Sequence, residues 1–317
     1  MVHEVELSIV IPAYNEADSI PQVYQELKGV LDSLQKESEI IFIDDGSSDS
    51  TFSVLEGLHN KDPSVKVIRF RRNFGQTAAL QAGFSASKGK LIVTMDADLQ
   101  NDPKDIPRLL ERQKQGYDAV SGWRSKRKDN FSKRFFSKIA EYIRRLVIKD
   151  YVHDSGCSLK VYTKESIKGL ALFGEMHRFI PAILVLNGFK VGELKVNHQP
   201  RLHGKTKYGI ARLLKGLLDL VYIKFWSSFS TRPLHFFGLL GFFQIVAGVM
   251  LAFANLSYHS IRYGALALGI GPVLLFAGIL IILGVQFIVL GFLGEILIRT
   301  YYKDAKDKGY VIEKVLG

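Results

Sequence analysis

Two acidic side chains, Asp96 and Asp98, stand two positions apart directly after the apolar run Leu91–Met95. On a chain that leaves a strand, residues i and i+2 project to the same side, so both carboxylates can face one ligand. Hard oxygen donors of this kind suit Mg²⁺ or Mn²⁺, and Gln100, two residues further on, offers another oxygen. The spacing therefore predicts a divalent-cation site, with an ordinary solvated turn as the alternative.

Polar residues also follow the other apolar runs in the first 200 residues. These runs are Leu7–Ile11, Ile40–Ile43, Val65–Phe70 and Ala119–Val120. The segments that follow them are, in order, Pro12-Ala13-Tyr14-Asn15-Glu16, Asp44-Asp45-Gly46-Ser47, Arg71-Arg72-Asn73-Phe74-Gly75-Gln76 and Gly122-Trp123-Arg124. Acidic groups that met unpaired would repel one another at neutral pH. A cation or hydrogen-bond donors must therefore belong to the same site.

Helical patterns separate these apolar runs and must position the polar segments. They cover roughly Ser19–Gln35, Ser50–Leu58, Thr77–Ala86, Pro103–Gln115 and Phe131–Val147. Strands that alternate with helices predict an α/β fold whose mostly parallel sheet is covered on both faces. In such sheets ligands bind beyond the carboxyl ends of the strands, which is where the polar segments lie.

Composition narrows the class of protein further. The chain has 317 residues, a formal net charge of +11 and one cysteine, Cys157, so it has neither an internal disulfide nor a multi-cysteine zinc site. We expect Cys157 to be a small buried residue. A basic chain can bind nucleic acid, but no nucleic-acid motif is present and we expect no such partner. The N-terminus lacks a basic n-region, so we expect no cleaved signal peptide.

Two long stretches near the C-terminus contain no Asp, Glu, Lys or Arg: residues 233–256 and 264–294. Each exceeds the about 20 apolar residues needed to cross a bilayer. They predict a membrane hairpin with spans at about 233–256 and 266–294, rather than two buried helices of a soluble protein. More basic residues flank the hairpin than lie in its loop, which predicts that the large N-terminal portion and both termini are cytosolic, at the cytoplasmic membrane.

The segment before the hairpin is amphipathic. On a helix, Leu213, Leu217 and Val221 share one face, and Lys215 and Asp219 share the other. This pattern is typical of a helix that lies in the membrane interface, and packing on the soluble domain is the alternative. We therefore predict a cytosolic domain at 1–207, a juxtamembrane helix at 208–231, a hairpin at 232–299 and a cytosolic tail at 300–317.

Four segments in this order, IVIPAYNE (9–16), DDGSSDST (44–51), RNFGQTAALQAG (72–83) and DADLQNDP (96–103), resemble family 2 glycosyltransferases. Together with the hairpin, they resemble the subgroup that uses dolichol or undecaprenyl phosphate. The resemblance implies a type-A nucleotide-diphospho-sugar transferase fold and an inverting transfer of one sugar to a polyprenyl phosphate. It also implies that Asp96 lies by the ribose and diphosphate, and that Asp98 and Gln100 ligate Mg²⁺ or Mn²⁺. The residues that would hold the nucleoside are Pro12, Tyr14, Glu16, Asp44, Asp45 and Asp96.

An acceptor phosphate is already ionised at pH 7, so it needs cations to bind it rather than a general base. Arg124 ends the fifth run at the same sheet edge, and Lys133 matches an acceptor-phosphate position of the family. The basic loop 201–208 resembles a family loop that closes over an anion, through Arg201, Lys205 and Lys207. Contact with anionic headgroups is the alternative for these cations. The family's acid after the Ser-Gly turn is replaced by Cys157; Asp154 is a possible substitute as base, and a turn-forming aspartate is the alternative.

Other functions remain open at this stage. A processive polysaccharide synthase is disfavoured because the Gln-x-x-Arg-Trp motif is absent. A non-catalytic lipid-binding or scaffold protein would usually have lost the Asp96 and Asp98 pair, and a flippase would need a polar path through the hairpin. UDP-glucose is the favoured donor, because the Arg-Asn-Phe-Gly stretch resembles glucosyl-transferring relatives, and GDP-mannose is possible. Homo-oligomers are possible.

Overall fold

The computed structural model describes residues 5–124, 152–170, 172, 174, 176–199, 233–263, 271–304 and 310–317. The chain divides into two compact units, Met1–Tyr222 with Lys308–Gly317, and Ile223–Asp307. The predicted helices at 131–147 and 208–231 lie outside the described residues. The predicted domain limits therefore stay predictions.

The first unit is built on one sheet of eight strands, in the order β7-β5-β6-β4-β1-β2-β3-β8. Its strands are β1 Leu7–Ala13, β2 Ser38–Asp44, β3 Val65–Phe70, β4 Leu91–Thr94, β5 Ala119–Trp123, β6 Lys160–Thr163, β7 Val191–Lys195 and β8 Ile312–Leu316. Four pairs are parallel, β1–β2, β1–β4, β2–β3 and β5–β7. The pairs β4–β6, β5–β6 and β3–β8 are antiparallel. The predicted α/β class with a mostly parallel sheet is confirmed.

Helices connect the strands of this sheet. They are α1 Ile20–Leu34, α2 Thr51–Lys61, α3 Gln76–Ala86, α4 Ile106–Gln113, α5 Lys164–Ile167 and α6 Ile180–Leu186, with 3₁₀ turns at Pro103–Asp105 and Met176–Phe179. The central strands read as continuous apolar runs because helices cover both faces of the sheet. Helix α3 packs so closely on β1 that a Cβ at Gly83 would lie 2.2 Å from Val10 Cγ1. This close packing fixes where α3 begins, beside the carboxyl edge of the sheet.

The second unit is a pair of helices, α7 Pro233–Tyr263 and α8 Pro272–Asp304. Their apolar segments of 29 and 26 residues are long enough to cross a bilayer. Many of their large apolar side chains are exposed. The helices pack through small residues: a Cβ at Gly241 would lie 2.3 Å from Gly284 O. These features fit a membrane-spanning hairpin and not the core of a soluble domain, as the sequence predicted.

Strand β8 follows the hairpin and returns to the sheet of the first unit, where it pairs with β3. No sequence pattern predicted this strand, which lies in the predicted tail 300–317. Strands that precede and follow the hairpin in the sequence therefore belong to one sheet. The orientation of the flanks relative to a membrane stays a prediction.

Candidate active site

The loop after β1 interlocks with the loop after β2 at the carboxyl edge of the sheet. Asn15 has a left-handed φ of 56°; its amide donates to Ser47 Oγ at 3.0 Å, and its Oδ1 accepts from the Ser48 amide at 2.9 Å. Tyr14 is 47% exposed, so its ring is available to a ligand. Glu16 accepts a hydrogen bond from Ser19 Oγ at 2.7 Å, which fixes its carboxylate at the start of α1. The motif therefore builds a rigid rim with one open aromatic side chain.

The two aspartates that end β2 lie beneath this rim and support neighbouring loops. Asp44 is completely buried, and its Oδ1 accepts from the Ser47 amide at 2.9 Å. Asp45 is 4% exposed, and its two oxygens accept from the amides of Phe74 and Gly75 at 2.7 and 2.9 Å. Burial raises the pKa of Asp45, although these amides oppose the shift. In this geometry both residues hold loops, and their predicted contact with a nucleoside stays a prediction.

Gly46 explains why this turn needs a glycine. Its φ is +69°, and a Cβ there would lie 2.3 Å from the carbonyl carbon of Arg72. Any side chain would both strain the backbone and push the β2 turn away from the loop after β3. The turn and the loop therefore pack against each other through bare backbone.

The predicted cation pair lies at the end of β4, with Asp96 and Asp98 both half-buried. Gln76, the first residue of α3, donates from Nε2 to Asp96 Oδ1 at 2.7 Å, and Asp98 Oδ1 accepts from the Gln100 amide at 3.2 Å. Leu99 adopts a left-handed φ of 61°, which is unusual for a branched side chain and marks local strain. The strained turn keeps the backbone curled around the second carboxylate.

The carboxylates of this pair crowd each other. Burial, and next the neighbouring charge of Asp98, raise the pKa of Asp96 to about 6. Two adjacent carboxylates on partly exposed residues fit Mg²⁺ or Mn²⁺, which bind oxygen ligands and retain waters or phosphate oxygens. Within the described residues, no group of three or more His, Cys, Asp or Glu side chains could complete a metal site alone. Oxygen atoms of water or of a bound ligand would complete the coordination of a cation held by this pair.

Arg124, at the end of β5, and Asp154 form a bidentate ion pair. Arg124 Nε and Nη2 donate to Asp154 Oδ2 and Oδ1 at 2.7 and 2.9 Å, and both side chains are about nine-tenths buried. Burial lowers the pKa of Arg124, but the hydrogen bonds and charge of Asp154 more than offset this and raise it above its ordinary value. The loop that carries Asp154 is tied to β7, because the His153 amide donates to Glu193 Oε1 at 2.7 Å. The guanidinium is thus held in one orientation at the same sheet edge.

The segment between Asp154 and β6 connects the Arg124–Asp154 ion pair with the surroundings of Asp96. Ser158 opposes the rise in the pKa of Asp96, and its hydroxyl accepts from Asn101 Nδ2 at 2.7 Å. Cys157 is fully buried, and a Cβ at Gly122 would lie 2.8 Å from its sulfur. Burial raises the pKa of the Cys157 thiol. Cys157 is therefore the buried packing residue that the sequence predicted, and Ser158 is the polar contact that sequence reasoning missed.

Lys160 is a further residue that sequence reasoning missed. It begins β6, is 4% exposed, and donates from Nζ to the carbonyls of Ser155 (3.3 Å) and Cys157. Burial lowers its pKa, while the charges of Asp154 and Asp96 oppose that shift. The only available signal was a lysine at the start of an apolar run, Leu159-Lys160-Val161. Its ammonium holds the turn that presents Asp154 and Ser158.

His177 also reaches this part of the sheet. Its Nδ1 lies 2.8 Å from the Thr77 hydroxyl, next to the Gln76 that contacts Asp96. This contact makes His177 a hydrogen-bonding residue of the site's surroundings. The predicted acceptor-phosphate residues Lys133, Arg201, Lys205 and Lys207 all lie outside the described residues. Pro12 lies within β1, in register with Ile43, and is half-exposed.

The chain matches the family model described as Glycosyl transferase family 2 over residues 8–170. It is 39% identical over 319 residues to the dodecaprenyl-phosphate galacturonate synthase of Rhizobium johnstonii, covering 99% of this chain and 94% of that protein. It is 36% identical to the undecaprenyl-phosphate 4-deoxy-4-formamido-L-arabinose transferase of Pseudomonas paraeruginosa, covering 98% of this chain and 90% of that protein.

Solved structures support the same fold at low sequence identity. Mannosyl-3-phosphoglycerate synthase from Rubrobacter xylanophilus superposes with a TM-score of 0.57 at 16% identity, over 70% of this chain and 74% of that one. Glucosyl-3-phosphoglycerate synthase from Mycobacterium tuberculosis, in complex with Mn²⁺ and uridine-diphosphate-glucose, gives 0.53 at 16% identity over 69% and 79%. The sheet-edge motifs, the family model and the relatives matched along the whole chain agree: this protein belongs to glycosyltransferase family 2.

Proposed function

We propose that this glycosyltransferase transfers one sugar from a nucleotide sugar to a polyprenyl phosphate, with inversion at the sugar C1. The observation that carries the proposal is the likeness to the dodecaprenyl-phosphate galacturonate synthase over 99% of the chain, hairpin included. An enzyme whose acceptor is a membrane lipid needs its site to be tethered to the bilayer, and the hairpin supplies that tether.

The donor would bind at the carboxyl ends of β1, β2 and β4. Asp98 and Gln100 would hold Mg²⁺ or Mn²⁺, with Asp96 beside the ribose and diphosphate. A bound divalent cation supplies neutralisation of the charge that develops on the leaving diphosphate. The exposed Tyr14 ring offers a stacking surface for the base, and Pro12, Glu16, Asp44 and Asp45 complete the proposed nucleoside-binding group.

The acceptor phosphate would bind at Arg124, assisted by Lys133, Arg201, Lys205 and Lys207. A phosphate monoester is ionised at pH 7, so its oxygen attacks without a general base, and the main task of the protein is to hold it in line with C1. The bidentate contact of Asp154 with Arg124 supports a role for Asp154 in orienting that guanidinium. We therefore assign Asp154 as a positioning residue rather than as a base.

The active site would face the cytoplasm, with the hairpin in the cytoplasmic membrane. The basic flanks of the hairpin support this orientation. Labelling of single cysteines would test it: a cysteine placed at Ser257 should react with a membrane-impermeant maleimide in intact cells. A cysteine at Asp18, in a Cys157→Ser background, should react only after the cells are opened.

The decisive test of function is a transfer assay on the full chain in detergent. Purified protein would be mixed with undecaprenyl phosphate, MnCl₂ and one donor at a time, and lipid products read by mass spectrometry. The donors are UDP-glucose and GDP-mannose, which the sequence predicted, and UDP-galacturonic acid, whose sugar the first relative's name contains. We expect one sugar per lipid from at least one donor and none from the Asp98→Ala variant. Donor hydrolysis with no lipid product, or polymer formation, would overturn the proposal.

A further inference from the structure

The β3–α3 loop, residues 71–75, lies between the two acidic groups of the proposed donor site. On one side Asp45 accepts hydrogen bonds from the amides of Phe74 and Gly75. On the other side the loop leads directly into Gln76, whose side chain donates to Asp96 at 2.7 Å. The position of this loop therefore sets the distance between the nucleoside end and the cation end of the site.

A segment from beyond the hairpin packs on this loop. The ring of Tyr310 stacks on Phe70 with centroids 5.0 Å apart and an interplanar angle of 21°. Phe70 in turn meets Phe74 edge-to-face at 5.7 Å. The Arg71 amide donates to the carbonyl of Val311 at 3.2 Å. The chain of contacts thus runs from residue 310 to the same Phe74 whose amide Asp45 holds.

The following strand fixes this segment to the sheet. Strand β8 pairs with β3, and its register shifts between Arg69 and Phe70. At this irregularity Glu313 Oε2 lies 3.4 Å from Arg69 Nε, and Asp44 Oδ2 lies 3.6 Å from the same atom. A row of alternating charge therefore runs from the buried aspartate of β2, across β3, to β8. Arg69 is shared between the two carboxylates and is also held over the ring of Phe52 at 4.4 Å.

We propose that Tyr310 and Val311, which β8 holds against the sheet, form a positioning element of the donor site that keeps the β3–α3 loop between Asp45 and Asp96. This inference rests on the proposed function, because it concerns how that donor is bound. The segment touches neither the cation pair nor Arg124 in the described contacts, so it acts through the loop. Weakening its aromatic contact should therefore weaken donor binding and leave acceptor binding and the chemical step unchanged.

The test compares Tyr310→Ala, Tyr310→Leu and Tyr310→Phe with Val315→Ala, a control in the adjoining strand β8 whose side chain is exposed. Loss of one aromatic contact should raise the donor KM about two- to tenfold, with kcat and the acceptor KM within about twofold of wild type. Tyr310→Leu should give a smaller rise, and Tyr310→Phe, which keeps the ring, should restore the wild-type KM. Val315→Ala should behave as wild type.

Hydrogen exchange of the ligand-free protein provides a readout that needs no activity. In Tyr310→Ala, the amides of Phe74 and Gly75 should exchange faster, while those of β1 should not change. Unchanged exchange at these amides, or an equal change in Val315→Ala, would overturn the inference. If the wild type transferred no sugar to polyprenyl phosphate, the proposed function would fail, and the exchange result would still decide whether residue 310 positions the loop.

Discussion

Buried carboxylates at the two ends of the sheet differ in how well neighbouring hydrogen-bond donors and cations compensate their charge. At the amino ends of the strands, Glu39 is 2% exposed and accepts from Ser8 Oγ, Lys66 Nζ and the Lys88 amide, each at 2.5 Å. At the carboxyl ends, Asp96 receives far weaker compensation, because the carboxylate of Asp98 faces the same region. The charge of Glu39 at the amino end is therefore compensated within the protein, and that of Asp96 at the carboxyl end is compensated only in part.

The pKa values follow this difference. Burial raises the pKa of Glu39, but the hydrogen bonds from Lys66, Ser8 and Lys88 outweigh burial and lower it overall. Burial and Asp98 raise the pKa of Asp96 to about 6. A carboxylate whose hydrogen-bond donors outweigh its burial contributes to stability, whereas one whose burial and neighbouring negative charge outweigh its donors is suited to bind an external cation. The comparison predicts that mutations at the two ends affect different measurements.

The largest effect is expected at the carboxyl end of the sheet around Asp96 and Asp98, which we call the open end. Asp98→Ala should lower the rate of transfer by about 10³-fold or more, equivalent to ~4 kcal/mol. The reason is that it removes a carboxylate proposed to hold the cation that stabilises the charge on the leaving diphosphate. Its unfolding midpoint should not fall, since two crowded carboxylates repel each other. Transfer assays and denaturant unfolding of the same preparations check this, with the exposed Asp18→Ala as control. Full activity in Asp98→Ala would refute the cation assignment.

At the amino end of the sheet around Glu39, which we call the closed end, a mutation should change stability and not activity. Glu39→Ala leaves Lys66 Nζ, Ser8 Oγ and the Lys88 amide without their acceptor, at a cost of about 2–3 kcal/mol in the free energy of unfolding. The kcat and KM of the folded fraction should match wild type. Glu26→Gln, which alters only an exposed contact with Gln22, is the control and should change neither. A Glu39→Ala variant of normal stability would contradict the comparison.

A third experiment asks whether the open end also contains structural carboxylates. Asp154→Asn keeps one acceptor for Arg124 but loses the charge, so transfer should fall about 10- to 100-fold, or ~1.4–2.7 kcal/mol. This loss of activity should appear as a rise in the acceptor KM. The dependence of kcat on pH should keep its shape. Loss of the acidic limb of that profile would instead identify Asp154 as a base. Arg124→Lys, which cannot form the bidentate contact, should show the same KM effect.

The smallest effect concerns pH at the closed end. A lowered pKa means that Glu39 stabilises the fold above its unfolded value of about 4.3, and that this contribution is lost as pH falls. The difference in unfolding free energy between wild type and Glu39→Gln should be about 1 kcal/mol near pH 7 and should shrink below about pH 4. Unfolding curves at a series of pH values test this. A difference that grew on acidification would have the wrong sign.

The sequence predicted the open end better than the rest of the sheet. Periodicity located β1 to β5 because strands buried on both faces leave long apolar runs, and the polar residues after them do meet at one edge. Strands β6 and β7 are short and were not predicted. Strand β8 pairs with β3 across more than 240 residues of sequence, and its side chains are mostly exposed, so no local pattern marks it.

The side-chain partners within the site were harder to predict than its location. Asp96 and Asp98 share one turn, so their proximity follows from spacing alone. The partner of Asp45, by contrast, is the backbone of a loop 29 residues away, and the partner of Arg124 lies 30 residues away. Such contacts depend on how loops pack. Homo-oligomer formation and the identity of the donor stay predictions.

The return of β8 to the sheet has a consequence for biosynthesis. Residues 312–316 leave the ribosome only after both apolar helices, so β3 has no edge partner until the hairpin has been made. An unpaired strand edge is a template for aggregation. Insertion of the hairpin into the bilayer and completion of the sheet are therefore successive steps of one maturation process. A soluble fragment cut before the hairpin would be arrested with that edge open.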